Sequence, residues 1–189
     1  MRRALDVLEA EGMIWRRQGA GTFVGRRDAD MAPESLIKEA APRATFDEAL
    51  EVRLRIEPQL AQLAAMRASE ADIARMKELT ARFVEVDDIE ACELWDGAFH
   101  RQIALAARND LFLAMFDVMN RVRRDKIWQT TRGVAMESSN AKANTFNDHS
   151  RIIAAIEARQ PLEAAHAMRD HVLNTQRRLL QRLTNFEIT

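Results

Sequence analysis

The sequence predicts an all-α protein. Only 6 glycines and 4 prolines occur among 189 residues, whereas helix-favouring Ala, Leu, Glu and Arg are abundant. From about residue 46 onward, apolar residues recur at intervals of three and four, the spacing of one helix face. The hydrophobic fraction of 47% and the charged fraction of 30% are ordinary for a globular domain. We therefore expect helices to build nearly the whole chain.

The first 27 residues predict a helix followed by a small hairpin. Residues 2–11 have helical apolar spacing, and Gly12 ends that helix. Residues 13–17 and 22–24 are strand candidates on either side of a turn. Six arginines against three acidic residues make this part basic, which is typical of a piece that contacts nucleic acid. A helix plus a hairpin is the second half of a winged helix.

A linker and a succession of helices follow. Residues 28–45 contain Pro33 and Pro42 and are expected to connect two domains. A Ser69-x-x-Asp72 capping motif marks one helix start, Asp110 is a candidate cap, and Pro161 suits a first helical position. The break at 132–143 is either a mobile lid or an irregular turn. The predicted helices cover 46–68, the segment after Ser69, 89–107, 111 to about 130, 144–159 and 161–186.

The predicted core comes from the apolar faces of these helices. A residue that recurs at helical spacing is expected to be buried against neighbouring helices. The faces are Ile73, Met76, Leu79 and Phe83; Leu94, Ala98 and Ile103; Leu111, Met115, Met119 and Val122; and Phe146, Ile152, Ile153 and Ile156.

Four residues predict a buried metal site. Asp96 and His100 are four apart, so they project from one helix face, and His149 and His171 lie in later apolar patterns. Neutral imidazoles with one carboxylate suit Zn, Ni, Cu or Fe and leave coordination positions open, which suggests a bound small molecule. The fourth histidine, His166, is interpreted as a surface residue, because its Glu163-x-x-His166 spacing has no second copy as a di-iron site would need.

The chain resembles the GntR family of bacterial transcriptional regulators, in the FadR-type branch whose effector domain is called FCD. The N-terminal part is similar to that family's recognition helix and wing, with Arg3 at a position where the family usually has glutamate. The motifs are Arg2-Arg3-Ala4-Leu5-x-x-Leu8-Glu9-Ala10-Glu11-Gly12-Met13-Ile14, Gln18-Gly19-Ala20-Gly21-Thr22-Phe23-Val24, Arg53-x-x-x-Glu57-Pro58, Asp96-x-x-Phe99-His100, Asn109-x-Leu111, His149-x-x-Ile152 and Ala167-Met168-x-x-His171.

This resemblance implies a fold and an organisation. Residues 46–189 would form an antiparallel bundle of six or seven helices, 28–45 a linker, and 1–27 a partial winged helix. Family members have two further helices before the recognition helix, so the winged helix is expected to be truncated here. The metal would be divalent, with Zn favoured over Ni, Mn or Fe, and its implied ligands are Asp96, His100, His149 and His171.

The resemblance also implies a function, namely a metal-dependent regulator of organic-acid or sugar-acid metabolism. Arg53 would bind a small acidic effector, DNA would be the operator partner, and paired half-sites would need a homodimer. No apolar run approaches the roughly 20 residues of a membrane span, so a cytoplasmic protein without membrane contact is expected. The predicted DNA-binding residues are Arg2, Arg3, Arg16, Arg17, Gly19, Gly21 and Thr22.

Two alternative interpretations remain open. Arg53 has a simpler role in an ion pair with Glu57, four residues on. The metal could also serve a hydrolase, with Asp148, Asp170 or Glu93 as general base, although no catalytic Ser–His or Cys–His arrangement supports it. A stand-alone effector-binding protein that has lost DNA binding is the remaining alternative. We expect a regulator and not an enzyme.

Overall fold

The computed structural model of the chain describes residues 14–17, 21–24, 44–122 and 140–186. It separates into two compact units, residues 1–43 and 44–189. The described part of the first unit is a hairpin, and that of the second is six helices, which confirms the all-α prediction. The elements are β1 (Ile14–Arg17), β2 (Gly21–Val24), α1 (Phe46–Arg67), α2 (Glu70–Glu85), α3 (Ile89–Ala106), α4 (Asp110–Val122), α5 (Ala141–Glu157) and α6 (Pro161–Phe186).

The predicted hairpin is present in the first unit. Strands β1 and β2 are antiparallel, with Ile14 opposite Val24 and Arg17 opposite Gly21. Arg16 lies opposite Thr22, so four of the predicted DNA-binding residues fall on paired strands. The predicted recognition helix at 2–11 and the predicted DNA-binding residues Arg2, Arg3 and Gly19 lie outside the described residues.

Capping boxes fix the starts of the first two helices. The Thr45 hydroxyl accepts the Glu48 backbone N–H at 3.2 Å, and the Glu48 carboxylate accepts the Thr45 N–H at 2.7 Å. Ser69 and Asp72 make the same reciprocal pair before α2, as predicted. Because each box satisfies backbone donors that a helix leaves open, both helices begin at a defined residue. Thr45 is therefore the N-cap directly before α1, which begins at Phe46 as predicted.

The starts of α4 and α5 differ from the prediction. The Asn109 side chain accepts the Phe112 N–H at 3.1 Å, so Asn109 caps α4 and Asp110 is its first helical residue. Helix α5 begins at Ala141, three residues earlier than predicted, because Ala141 is fully buried and the Asn144 N–H already bonds to the Asn140 carbonyl. Residues 141–143 of the predicted break are therefore helical, and its residues 132–139 lie outside the described part of the chain. The predicted continuation of α4 to about residue 130 lies outside the described residues.

Helix α1 occupies the middle of the bundle. It packs most extensively on α6 and also contacts α3, α4 and α5, while α2 packs on α3 and α5. Its inward face carries small side chains, which allow neighbouring helix axes to approach closely. Buried residues of the resulting core include Leu50, Leu60, Ala61, Ala64, Ala65, Met76, Phe99, Ile103, Phe116, Ile152, Ile156, Met168 and Val172.

Several residues predicted to be in the core are exposed. Leu94, Leu111, Met115 and Phe146 have exposed fractions of 62%, 74%, 46% and 39%. Within residues 110–120 of α4 the buried side chains are Phe116 and Met119, and at about 100° per residue Met115 lies roughly 70° around the helix from the middle of that face. Helical spacing identified the helices correctly but placed these side chains on the wrong face.

Candidate metal centre

The four predicted metal ligands meet in the interior of the bundle. Asp96 and His100 come from α3, His149 from α5 and His171 from α6. None of the four is more than 1% exposed. One potential ligand atom from each residue lies within 4.8 Å of the others. Three helices that are separate in sequence are thus brought to one point.

The distances between these atoms fit one ion. Asp96 Oδ1 lies 3.2 Å from His149 Nε2 and 3.8 Å from His100 Nε2, and the Nε2 atoms of His100 and His171 are 3.1 Å apart. Zinc bonds of about 2.0–2.2 Å place neighbouring ligand atoms roughly 3–3.5 Å apart. A three-nitrogen, one-oxygen set suits Zn and other borderline divalent ions. The residues present therefore fit a divalent metal with small adjustments.

An aromatic wall positions the His149 ring. The rings of Phe99 and His149 stack with centroids 3.9 Å apart, and the Phe83 ring is tilted against the same imidazole at 5.7 Å. Both phenylalanines are at most 1% exposed. Apolar packing on a metal-facing imidazole restricts its rotation and excludes water from that side.

Behind His100 lies a buried ion pair from α1. His100 Nδ1 is 2.6 Å from Glu57 Oε2, and Glu57 Oε1 accepts a hydrogen bond from Arg53 Nε at 2.6 Å. Arg53 also extends toward the centre, with its Nη2 atom 3.3 Å from His100 Nε2. Arg53 therefore makes the predicted pair with Glu57 and also reaches the site. The position of Glu57 behind a ligand was not predicted, although the Arg53-x-x-x-Glu57 spacing placed it on the same helix face.

A second carboxylate lies behind His171. Asp148 Oδ2 is 3.4 Å from His171 Nδ1, and the Asn174 amide donates to both Asp148 oxygens at 3.4 Å. Arg178 Nη1 lies 3.9 Å from Asp148 Oδ2. The sequence offered Asp148 only as a candidate general base, and its side chain is instead directed at the outer nitrogen of a predicted ligand.

The electrostatic environment of the centre determines the charge states of Glu57 and His171. Burial would raise the pKa of Glu57, but the Arg53 guanidinium, together with the adjacent His100, holds that pKa well below its ordinary value. Burial lowers the pKa of His171 to about 3, against the opposing effect of the Asp148 carboxylate at its outer nitrogen. His171 is therefore neutral near pH 7, the form in which imidazole binds metals.

Other candidate residues lie away from the centre. His166 is exposed, as predicted. Asp170 is half exposed and pairs with Arg151 at 3.4 Å, so it is not directed at the predicted ligands. The buried Cys92 thiol donates to the Val86 carbonyl at 3.4 Å, and burial raises its pKa. Asp170 is therefore not placed to act as the general base of the hydrolase alternative, because it pairs with Arg151 at the surface.

Known proteins resemble this chain over most of its length. The Uxu operon transcriptional regulator of Escherichia coli is 28% identical over 96% of this chain and 72% of its own length. The HTH-type transcriptional regulator LutR of Bacillus subtilis is 26% identical over 93% of this chain and 81% of its own. These similar proteins are regulators of transcription, in agreement with the prediction that the chain is not an enzyme.

Solved structures show the same fold. A Streptococcus agalactiae GntR structure aligns with a TM-score of 0.59 at 26% identity, covering 93% of this chain and 80% of its own. The Escherichia coli McbR/YncC structure aligns with a TM-score of 0.63 at 16% identity, covering 96% and 79%. These similarities define the class of protein as a transcriptional regulator with a helical domain. Residues 48–174 match the FCD domain, and the chain belongs to the FCD-domain family of GntR-type transcriptional regulators. No helix in the described ranges has the length and apolar character to span a bilayer.

Proposed function

We propose that this chain is a metal-dependent regulator in which a small organic or sugar acid binds beside the metal and alters DNA binding. The divalent ion, with Zn favoured, would be held by Asp96, His100, His149 and His171. The observation that supports the acid is Arg53, whose Nη2 atom lies 3.3 Å from His100 Nε2. A guanidinium beside an open metal position is suited to a carboxylate, because its planar N–H groups match carboxylate geometry.

Charge balance also favours an anion. Among the described residues at the centre and directly behind it, three carboxylates face two guanidinium groups, leaving a net charge of about −1 when the histidines are neutral. A divalent ion would change that to about +1, and one monocarboxylate would neutralise it. Buried uncompensated charge is costly, so an anionic ligand is preferred over a neutral one. The carboxylates are Glu57, Asp96 and Asp148, and the guanidinium groups are Arg53 and Arg178.

The metal, when bound, would supply a Lewis-acidic positive charge for a carboxylate or 2-hydroxyl oxygen. Arg53 would orient the ligand by donating hydrogen bonds to the second carboxylate oxygen. The buried position of Arg53 excludes water from this contact, which strengthens the pairing. Specificity for acids over alcohols or amides follows from these two positive groups.

DNA binding is proposed to involve the N-terminal unit. Arg16, Arg17, Gly21 and Thr22 lie on the hairpin that resembles the family's wing, and Arg2, Arg3 and Gly19 complete the proposed set. The proposed domain organisation is a partial winged helix at 1–27, a linker at 28–45 and the helical domain at 46–189. The protein would act in the cytoplasm as a homodimer, so that its two N-terminal units contact the two half-sites of an operator. The acid would change the affinity for the operator because it binds one of two arrangements of the helical bundle more tightly than the other.

Calorimetric titration tests the acid-binding part. Zinc-loaded protein would be titrated with glycolate, lactate and glucuronate, and with 1,2-propanediol as a hydroxylated control without a carboxylate. We expect saturable binding of at least one acid, no binding of the diol, and loss of binding when the metal is removed with a chelator. Equal binding of an acid to metal-free and metal-loaded protein would contradict the proposal.

A further inference from the structure

Glu57 contacts both a predicted metal ligand and the predicted effector-binding residue. One oxygen, Oε2, lies 2.6 Å from His100 Nδ1, and the other, Oε1, accepts from Arg53 Nε at 2.6 Å. Arg53 Nη2 donates to Oε2 at 3.3 Å, and the Glu57 side chain is only 2% exposed. An anionic carboxylate can only accept hydrogen bonds, so the Nδ1 atom of His100 must carry its hydrogen.

The other side of the same imidazole gives an independent constraint. Arg53 Nη2 lies 3.3 Å from His100 Nε2, and a guanidinium group can only donate. His100 Nε2 must therefore be an acceptor with its lone pair toward the centre. Two neighbours from α1, Glu57 at Nδ1 and Arg53 at Nε2, thus select the same tautomer, which is the one that a metal requires at Nε2.

We infer that Glu57 is a positioning residue that fixes His100 in the Nδ1–H tautomer and so prepares Nε2 for the metal, while holding Arg53 beside it. This inference rests on the proposed metal site. Asp148 has a similar but weaker role toward His171, because its 3.4 Å separation and greater exposure leave the His171 ring less constrained. A carboxylate behind a histidine ligand sets both ring orientation and tautomer.

The substitution Glu57→Gln tests the tautomer specifically. Arg53 Nε donates a hydrogen bond, so the amide oxygen of the new side chain must face Arg53 to accept it. The amide NH2 group would then face His100 Nδ1. That group would donate to Nδ1 and favour a hydrogen on Nε2, where it blocks metal ligation. We expect Zn affinity, measured by competition with a chromophoric chelator, to fall by about 10–100-fold, and by less in Asp148→Asn.

Asp72→Asn is the matched control, since Asp72 is another buried carboxylate that pairs with an arginine but is bound to Ser69, Gln102 and Arg108 rather than to a histidine. It should leave Zn affinity close to that of the wild type. Unchanged Zn affinity in folded Glu57→Gln, alongside normal wild-type binding, would overturn the inference and leave the proposed function standing. Absence of Zn binding in the wild type would instead contradict the proposed function.

A second measurement needs no variant and covers the case in which Glu57→Gln does not fold. Long-range ¹H–¹⁵N spectra of the metal-free wild type report which nitrogen of each histidine carries hydrogen. We expect His100 as the Nδ1–H tautomer at pH 7, with His166, which is exposed, as a mixture. A His100 signal of the Nε2–H tautomer would overturn the inference.

Discussion

The ring of Phe99 stacks on the ring of His149, with centroids 3.9 Å apart and planes inclined by 21°. Phe99 lies one residue before His100, so a single turn of α3 supplies both a predicted ligand and the apolar wall for another. Because Phe99 is fully buried, its packing connects the core of the bundle to the geometry of the centre. Core stability and metal affinity should therefore change together at this position.

Replacing this ring tests that connection. Phe99→Ala should lower the free energy of unfolding by about 3–5 kcal/mol, the usual cost of a buried Phe-to-Ala cavity, and should weaken Zn binding because His149 loses its stacking partner. Denaturant unfolding and chelator competition measure the two effects. Phe116→Ala is the control, since Phe116 is equally buried but not stacked on a predicted ligand. Equal Zn affinity in the two variants would contradict a positioning role for Phe99.

Replacing Arg53 by lysine should separate acid binding from metal binding. Lysine keeps the positive charge beside Glu57 but lacks the planar fork, so acid affinity should fall at least about tenfold while Zn is retained. Calorimetry on the zinc-loaded variant measures this. Arg101→Lys is the control, because Arg101 makes a two-point pair with Asp117 at 2.8 and 2.9 Å without contacting the centre. Unchanged acid affinity in Arg53→Lys would exclude the proposed contact.

Metal binding should stabilise the folded chain. Ligand that binds only the folded state adds about 4 kcal/mol at a free concentration of about a thousand times its Kd. We expect the thermal unfolding midpoint to rise with added Zn and to fall with a chelator, in wild type and in His166→Ala alike. In His149→Ala the midpoint should no longer respond to Zn. A response that survives in His149→Ala would place the stabilising ion elsewhere.

Acid sensitivity should depend on Asp72. Burial raises the pKa of Asp72, but hydrogen bonds from Ser69, together with Arg108 and Gln102, produce a net lowering. A carboxyl whose folded pKa is depressed adds stability above its unfolded pKa of about 3.9, and that stability is lost as pH falls through the lower folded value. Asp72→Asn should thus be less stable at neutral pH and show a flatter decline below about pH 4. Urea unfolding across the acidic range up to neutral pH measures this, and parallel pH profiles for the two proteins would refute it.

Much of the bundle was predictable because its signals are local. The Ser69 and Asp72 capping box, the helix start at Pro161 and the two hairpin strands depend on neighbouring residues, and each was confirmed. The start of α5 was placed too late because polar residues at 138–140 indicated a loop, whereas burial of Ala141 extends the helix. Tertiary packing decided that boundary.

Part of the candidate site was also predictable, because some of its signals are local. Residue chemistry and an i,i+4 spacing identified Asp96 and His100, and two further histidines completed the set. The groups behind the centre escaped prediction because their partners come from other helices: Glu57 meets His100 across the α1–α3 contact, and Asp148 meets His171 across α5–α6. Such pairings depend on helix register between elements, which spacing within one helix does not specify.

Metal content is the most direct test of the proposed centre. Purified chain and a His149→Ala variant, each loaded with Zn and dialysed exhaustively without chelator, would be analysed by elemental mass spectrometry, with His166→Ala as the control. We expect about one equivalent per chain in the wild type and in His166→Ala, and a large loss in His149→Ala. Folded wild-type protein that retains no metal, or a His149→Ala variant that retains a full equivalent, would contradict the assignment of Asp96, His100, His149 and His171 as the metal ligands.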